Sequence, residues 1–180
     1  SGSGMTILDV SQNLDQPTLL AQVPNLPGGY IHDSYVRNDT LYASSGYNGL
    51  YIYDFKTDPT QPQVLNSIST GGYNHNCWPT TNGQYLYYTE EIPKGRPVQI
   101  VDLQQLTNPG MSEIELVGNG FLDNLVPGGF EAVPHNVYIK DTLLFNSQYE
   151  DGLLVYNISN PIQPVLIAHY DTHPENAVYN

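Results

Sequence analysis

The sequence predicts an all-β chain assembled from repeated, four-stranded antiparallel units. Three observations carry that expectation. Fifteen tyrosines, sixteen glycines and fourteen prolines among 180 residues favour strands broken by many turns. One short sequence unit recurs along the chain. No segment longer than a turn or two carries the apolar period of a helix.

Taken in order, Ser1 to Gly4 read as a linker or cloning scar and stand outside the fold argument. The unit then opens as Thr6-Ile7-Leu8-Asp9-Val10, followed by Asp15-Gln16-Pro17-Thr18-Leu19-Leu20. It returns as Gly49-Leu50-Tyr51-Ile52-Tyr53-Asp54 with Asp58-Pro59-Thr60-Gln61-Pro62-Gln63-Val64-Leu65. Val98-Gln99-Ile100-Val101-Asp102-Leu103 with Asn108-Pro109 is a third copy. Gly152-Leu153-Leu154-Val155-Tyr156-Asn157 with Asn160-Pro161-Ile162-Gln163-Pro164-Val165-Leu166 is the fourth. Each copy is an apolar strand ending in Asp or Asn, a polar turn with proline, and a second apolar strand. The terminal Asp or Asn accepts backbone N–H bonds in the turn. Proline fixes φ and lacks a ladder donor, so it belongs in the connection.

A second element precedes three of these copies. His32-Asp33-Ser34-Tyr35-Val36 leads to Asp39-Thr40-Leu41-Tyr42-Ala43. His75-Asn76-Cys77-Trp78 leads to Asn82-Gly83-Gln84-Tyr85-Leu86-Tyr87-Tyr88, and His135-Asn136-Val137-Tyr138-Ile139 leads to Asp141-Thr142-Leu143-Leu144-Phe145. A strand, a tight Asn/Asp/Gly turn and a returning strand make a hairpin. Hairpin plus hairpin gives four strands per unit.

The histidines stand 43 and then 60 residues apart. The first spacing matches a propeller blade of about 40–50 residues; the second carries an insertion, Met111 to Gly129. The expected fold is therefore a β-propeller of four-stranded antiparallel blades, incomplete at about three and a half blades. Residues 5–30 form a half blade, blades start near residues 31, 74 and 134, and 171–180 form the lead-in to a missing blade. Propellers close with about four to eight blades. The expectation is thus a fragment, or a chain that takes further blades from another chain.

Composition narrows the function. Five basic residues against eighteen acidic ones, a net charge of -13, exclude a stripe that neutralises phosphates, and with it nucleic-acid binding. The same balance disfavours anionic membrane surfaces and is compatible with metal cations. No apolar run reaches the roughly 18 residues of a membrane helix, so no membrane insertion is expected. The single cysteine, Cys77, forms no internal disulfide. Few lysines and many Asn, Gln, Thr and Tyr have the look of an exported bacterial protein.

The Gly-Leu-x-Ile-x-Asp unit with its proline turn resembles the LVIVD repeat, and the wider pattern is similar to the choice-of-anchor B family of bacterial surface proteins. The segments that carry the resemblance are Ile31 to Asp39, Tyr47 to Asp54, Gly71 to His75, His135 to Lys140 and Tyr170 to Asn176. The resemblance implies a secreted or cell-surface, propeller-like module with no defined activity. Family members carry further repeats on both sides and a C-terminal anchor, which this sequence does not contain.

Candidate chemistry centres on His32, His75 and His135, which open the first strand of each blade. If those strands are innermost, the imidazoles converge at one mouth of the channel. Neutral imidazole ligates divalent Zn, Cu, Ni or Fe, and Asp33, Glu90, Glu91, Glu131 and Glu150 lie nearby in sequence. The competing reading is structural: in a repeat protein a recurring residue serves a recurring need. Tyr30, Tyr47, Tyr73, Trp78, Phe130 and Tyr149 sit near loops or strand starts and form a candidate binding surface, although packing also accounts for Trp78. His75 and Cys77 suggest a Cys–His pair, set against an inert buried thiol. Asp9, Asp54, Asp102 and Asn157 suggest Ca2+ ligands, set against turn capping.

No motif announces a reaction class. The leading expectation is a non-enzymatic exported scaffold for adhesion, binding or extracellular assembly, with protein or carbohydrate at the cell surface as partner. The alternatives are a metal- or His/carboxylate-dependent enzyme with its site at the channel mouth, and a subunit of an extracellular filament or secretion apparatus.

Overall fold

The computed structural model describes residues 4–106, 133–149 and 151–172. The insertion from Met111 to Gly129 and most of the lead-in at 171–180 lie outside them. The described residues form four antiparallel sheets and no α-helix. The first holds two strands, β1 (Met5–Asp9) and β2 (Thr18–Val23). The second runs β3 (Asp33–Arg37), β4 (Thr40–Ser44), β5 (Leu50–Asp54), β6 (Gln63–Ile68) in simple meander order. The third is β7 (Asn74–Pro79), β8 (Tyr85–Glu90), β9 (Gln99–Asp102), and a single 3-10 turn follows it. The fourth is β10 (Pro134–Lys140), β11 (Leu143–Gln148), β12 (Gly152–Asn157), β13 (Val165–Tyr170).

The repeated residues have visible local work. Asp9, Asp54, Asp102 and Asn157 each accept the backbone N–H two residues on, at 2.8, 2.9, 2.8 and 2.9 Å. All four are turn caps, each with one side-chain oxygen held by its own backbone. The glycine of the Gly-Leu strands is a backbone requirement. Gly49 (φ +94°) would place a Cβ 2.2 Å from the Ile68 carbonyl oxygen, and Gly152 (φ +80°) would place one 2.4 Å from that of Tyr170. Only a residue without a side chain lets the fourth strand come so close.

The core lies between sheets rather than inside them. Tyr42, Leu50 and Ile52 of the second sheet meet Cys77, Leu86, Tyr88 and Val101 of the third. Tyr87, Val98 and Ile100 of the third meet Val137, Leu144, Leu154 and Tyr156 of the fourth. Leu41, Ala43 and Tyr53 pack toward Met5 and Val23 of the first. Each large aliphatic side chain so buried contributes about 1.5–3 kcal/mol. Inter-sheet packing brings the first strands together: β7 contacts β3 on one side and β10 on the other. Polar bonds hold this arc. Asn76 Nδ2 donates to Asp33 (2.8 Å), its Oδ1 accepts the Val137 N–H (2.8 Å), and Thr89 Oγ1 donates to the His135 carbonyl (2.7 Å). The Arg37 guanidinium donates to the carbonyls of Thr80 and Thr81.

Candidate functional site at the mouth of the inner strands

Two β-bulges aim the site. In β7, Asn74 pairs with Glu90 and Asn76 with Thr89, so His75 is the extra residue. In β10, Pro134 pairs with Gln148 and Asn136 with Ser147, so His135 is the extra residue. His32 takes the corresponding place just before β3, its N–H donating to the Ser44 carbonyl at 2.8 Å. A bulge re-aims a side chain at a strand end, and such bulges gather beside functional sites.

The three imidazoles stand in a row. Ring centroids of His32 and His75 are 4.4 Å apart, and those of His75 and His135 are 3.9 Å apart. Tyrosines close the row at both ends. The Tyr30 and Tyr73 hydroxyl oxygens each lie 3.0 Å from Nδ1 of His32. Tyr73 also meets the His32 ring edge-on at 5.2 Å and the Tyr47 ring at 5.0 Å. At the other end the Tyr149 ring is 4.9 Å from that of His135. The Tyr149 hydroxyl donates to Glu91 Oε1 at 2.5 Å, and Glu91 Oε2 lies 3.8 Å from Nε2 of His75.

Electrostatics follow from burial. His75 is only 7 % exposed. Desolvation, and then the neighbouring His135 and His32, hold its pKa below the ordinary value, against smaller opposing pulls from Glu91 and from the His135 backbone. Its Nδ1 is buried without a hydrogen-bond partner. The Tyr149 phenol is pushed up to about 12, first by its bond to Glu91 and then by burial. Burial, and then the bond to Tyr30, take Tyr73 to about 12. Both phenols keep their protons at neutral pH. A ligating atom from each of His75, Glu91 and His135 lies within 4.8 Å of the others.

The remaining candidates part company with this group. Asp33 accepts from the Ser34 N–H (2.7 Å) and from Asn76, so it ties the second sheet to the third. Glu90 is 1 % exposed and bonds Arg96 Nη1 at 3.0 Å. Trp78 is half-buried between Tyr35 and Tyr138, at 4.5 and 5.2 Å, and so packs instead of joining an exposed platform. Cys77 points into the core, its Sγ 3.7 Å from the Tyr42 carbonyl oxygen, and burial pushes the thiol up to about 12. The bulge separates its direction from that of His75, which rules out the expected alternation and the Cys–His pair. Phe130, Glu131 and Glu150 lie outside the described residues.

Two features escaped sequence reasoning. Tyr35, Trp78 and Tyr138 make a second row of rings three residues beyond the histidines, a spacing the sequence does contain. The other is one backbone position, two residues past Ser44, Thr89 and Ser147, that carries Gly46, Glu91 and Tyr149 in turn. Three dissimilar side chains give no repeat signal.

No family model matches the chain, and no curated protein matches it. Solved structures do. A protein from Lactobacillus plantarum, a structural-genomics target, aligns over 94% of this chain and 52% of its own, with a TM-score of 0.67 at 15% identity. The β-propeller domain of Cps50 (Swd1) from Myceliophteria thermophila aligns over 88% of this chain and 50% of its own, with a TM-score of 0.57 at 14% identity. The computationally designed protein Ika8 gives 0.59 at 11% identity, over 94% of this chain and 45% of its own. The chain spans about half the length of these structures. At such identities the likeness is one of fold, and the fold is propeller-like: all-β, with four-stranded antiparallel sheets whose first strands stand side by side.

Proposed function

We propose that this chain is a non-enzymatic, exported module, a rigid propeller-type scaffold displayed at a cell surface whose contact face is the mouth built by His32, His75 and His135. One observation carries this reading. The three histidines share a position in their units, yet their neighbours differ. His32 has two tyrosine hydroxyls, His75 has a carboxylate and an unpartnered buried nitrogen, and His135 has the ring of Tyr149. A purely structural need repeats its partner along with its residue. The rim favours carbohydrate as the ligand. Tyr47, Tyr149 and Tyr30 are 69, 52 and 42 % exposed, and they present apolar faces with polar edges. The acidic composition and the likeness to choice-of-anchor proteins support display outside the cell. The test is an array of bacterial and host glycans probed with labelled chain. Retention lost in Tyr47→Ala and Tyr149→Ala supports the reading. Retention unchanged in both moves the contact face elsewhere, and no retention on any glycan rejects carbohydrate as the ligand.

A second reading, a metal-dependent enzyme at the same mouth, is favoured by the approach of His75, Glu91 and His135 to one another. It predicts turnover by the metal-loaded chain that disappears in Glu91→Gln while glycan retention persists.

A further inference from the structure

We propose that His75, Glu91 and His135 hold one divalent transition-metal ion of the Zn2+ class, with a coordination position open to the mouth. The inference deepens the reading of the mouth as the contact face, and it requires no catalytic step.

The donor set comes first. Two imidazole nitrogens and one carboxylate oxygen suit Zn2+ and its neighbours. Hard Ca2+ and Mg2+ take oxygen shells, and among the described residues the group offers one carboxylate. A tetrahedral ion with bonds of about 2.0–2.1 Å wants its ligands about 3.4 Å apart. The three ligating atoms here lie within 4.8 Å, and the pair from His75 and Glu91 is at 3.8 Å. Closure therefore needs rotations of about an ångström. Glu91 and His135 are only half-buried and have room to make them.

A second, independent observation points to a ligand. His75 is more than nine-tenths buried, and its Nδ1 has no hydrogen-bond partner. A buried polar atom left bare costs about 1–3 kcal/mol, so a side chain kept in that state calls for a function. An ion taken by Nδ1 after a ring flip gives that bare nitrogen its partner.

The surroundings are those of a held ligand. Tyr149 fixes one Glu91 oxygen and leaves the other directed at His75. Ligands oriented by such outer bonds typically lose about 10–100-fold in metal affinity when the outer partner goes. His32 is excluded from the inner set: its Nδ1 faces two tyrosine hydroxyls, and its ring stands behind that of His75. Three residues from two adjacent inner strands and one strand end thus converge where nothing in the backbone pairing demands it.

The experiment is titration of the chelator-treated chain with Zn2+ by calorimetry, and with Co2+ by visible absorption, alongside His135→Ala, Glu91→Gln, Tyr149→Phe and His32→Ala. Circular dichroism first establishes that each variant is folded; His75 is left intact because it is buried. The expected result is one equivalent of Zn2+ per chain and a tetrahedral Co2+ spectrum. Affinity falls at least tenfold in His135→Ala and in Glu91→Gln, falls about tenfold in Tyr149→Phe, and changes less than threefold in His32→Ala. No saturable uptake by the folded wild-type chain overturns the proposal. So does equal uptake by His135→Ala and Glu91→Gln, which places the ion elsewhere on the acidic surface. Glycan retention is read separately, so a chain that retains glycan but takes up no Zn2+ removes this inference and leaves the contact face standing.

Discussion

Arg96→Met is the most informative perturbation of the scaffold. Glu90 is 1 % exposed, its Oε2 accepts from Arg96 Nη1 at 3.0 Å, and its Oε1 is buried without a partner. The second terminal nitrogen of Arg96, Nη2, donates to the Gly71 carbonyl at 2.9 Å. The pair therefore joins the end of β8 to the loop that leads into β7. Removing one partner of a buried pair typically costs about 3–5 kcal/mol, because an uncompensated charge remains. Arg96 is about one-third exposed at its side chain, so the lower end, roughly 3 kcal/mol, is expected. In a domain of this size a loss of 1 kcal/mol lowers Tm by about 2–4 °C. The expected fall is thus about 6–12 °C, followed by far-ultraviolet dichroism. The double variant Glu90→Leu with Arg96→Met removes both charges, and such apolar replacements are often neutral; it should recover most of the loss. A single variant that melts within 2 °C of wild type would refute the argument, since Glu90 would then be solvated in solution.

Three further outcomes follow from particular residues. Gly49→Ala forces a Cβ against the Ile68 carbonyl at a positive φ, and a loss of about 1–3 kcal/mol in urea denaturation is expected, with a similar loss for Gly152→Ala. Leu144→Ala opens a cavity between the third and fourth sheets and should cost about 2–5 kcal/mol, against less than about 0.5 kcal/mol for exposed Leu14→Ala. His75 has its pKa lowered on folding, so the unfolded chain binds more protons between the two values. Stability is therefore present above the unfolded value of about 6.5 and is lost as pH falls through the window below it, at up to about 1.4 kcal/mol per pH unit. Denaturation curves from pH 7.5 to 5 should show this slope, and His75→Gln should flatten it.

The sheets were legible because their signals are local. Asp or Asn at the strand end and proline in the turn answer a backbone need that recurs in every unit, and glycine before leucine answers one in two of the four. The row of histidines was legible for the same reason, being one residue at one repeated place. What the bulges do was not legible. A bulge is two residues against one on the partner strand, so it exists only in the pairing, and simple alternation put His75 and Cys77 on one face when the structure sends the thiol inward. Selection among the carboxylates was equally hidden. Glu90 and Glu91 are neighbours in sequence, yet one is sealed against Arg96 and the other reaches His75. Asp33 beside His32 looked like a partner and serves Asn76 instead.

The backbone address that holds Gly46, Glu91 and Tyr149 has a consequence for how such a chain diversifies. At Glu91 and Tyr149 the occupant reaches the imidazoles and carries no turn cap, whereas Gly46, at φ +59° and bridged to Asn74, would drive a Cβ to 2.8 Å from the Tyr73 ring. The third and fourth sheets each offer one such socket beside one imidazole. A lineage that duplicates the unit multiplies sockets at constant fold, and an engineer can rewrite the chemistry of the mouth at the two addresses that already carry a side chain, leaving Gly46 as the fixed point.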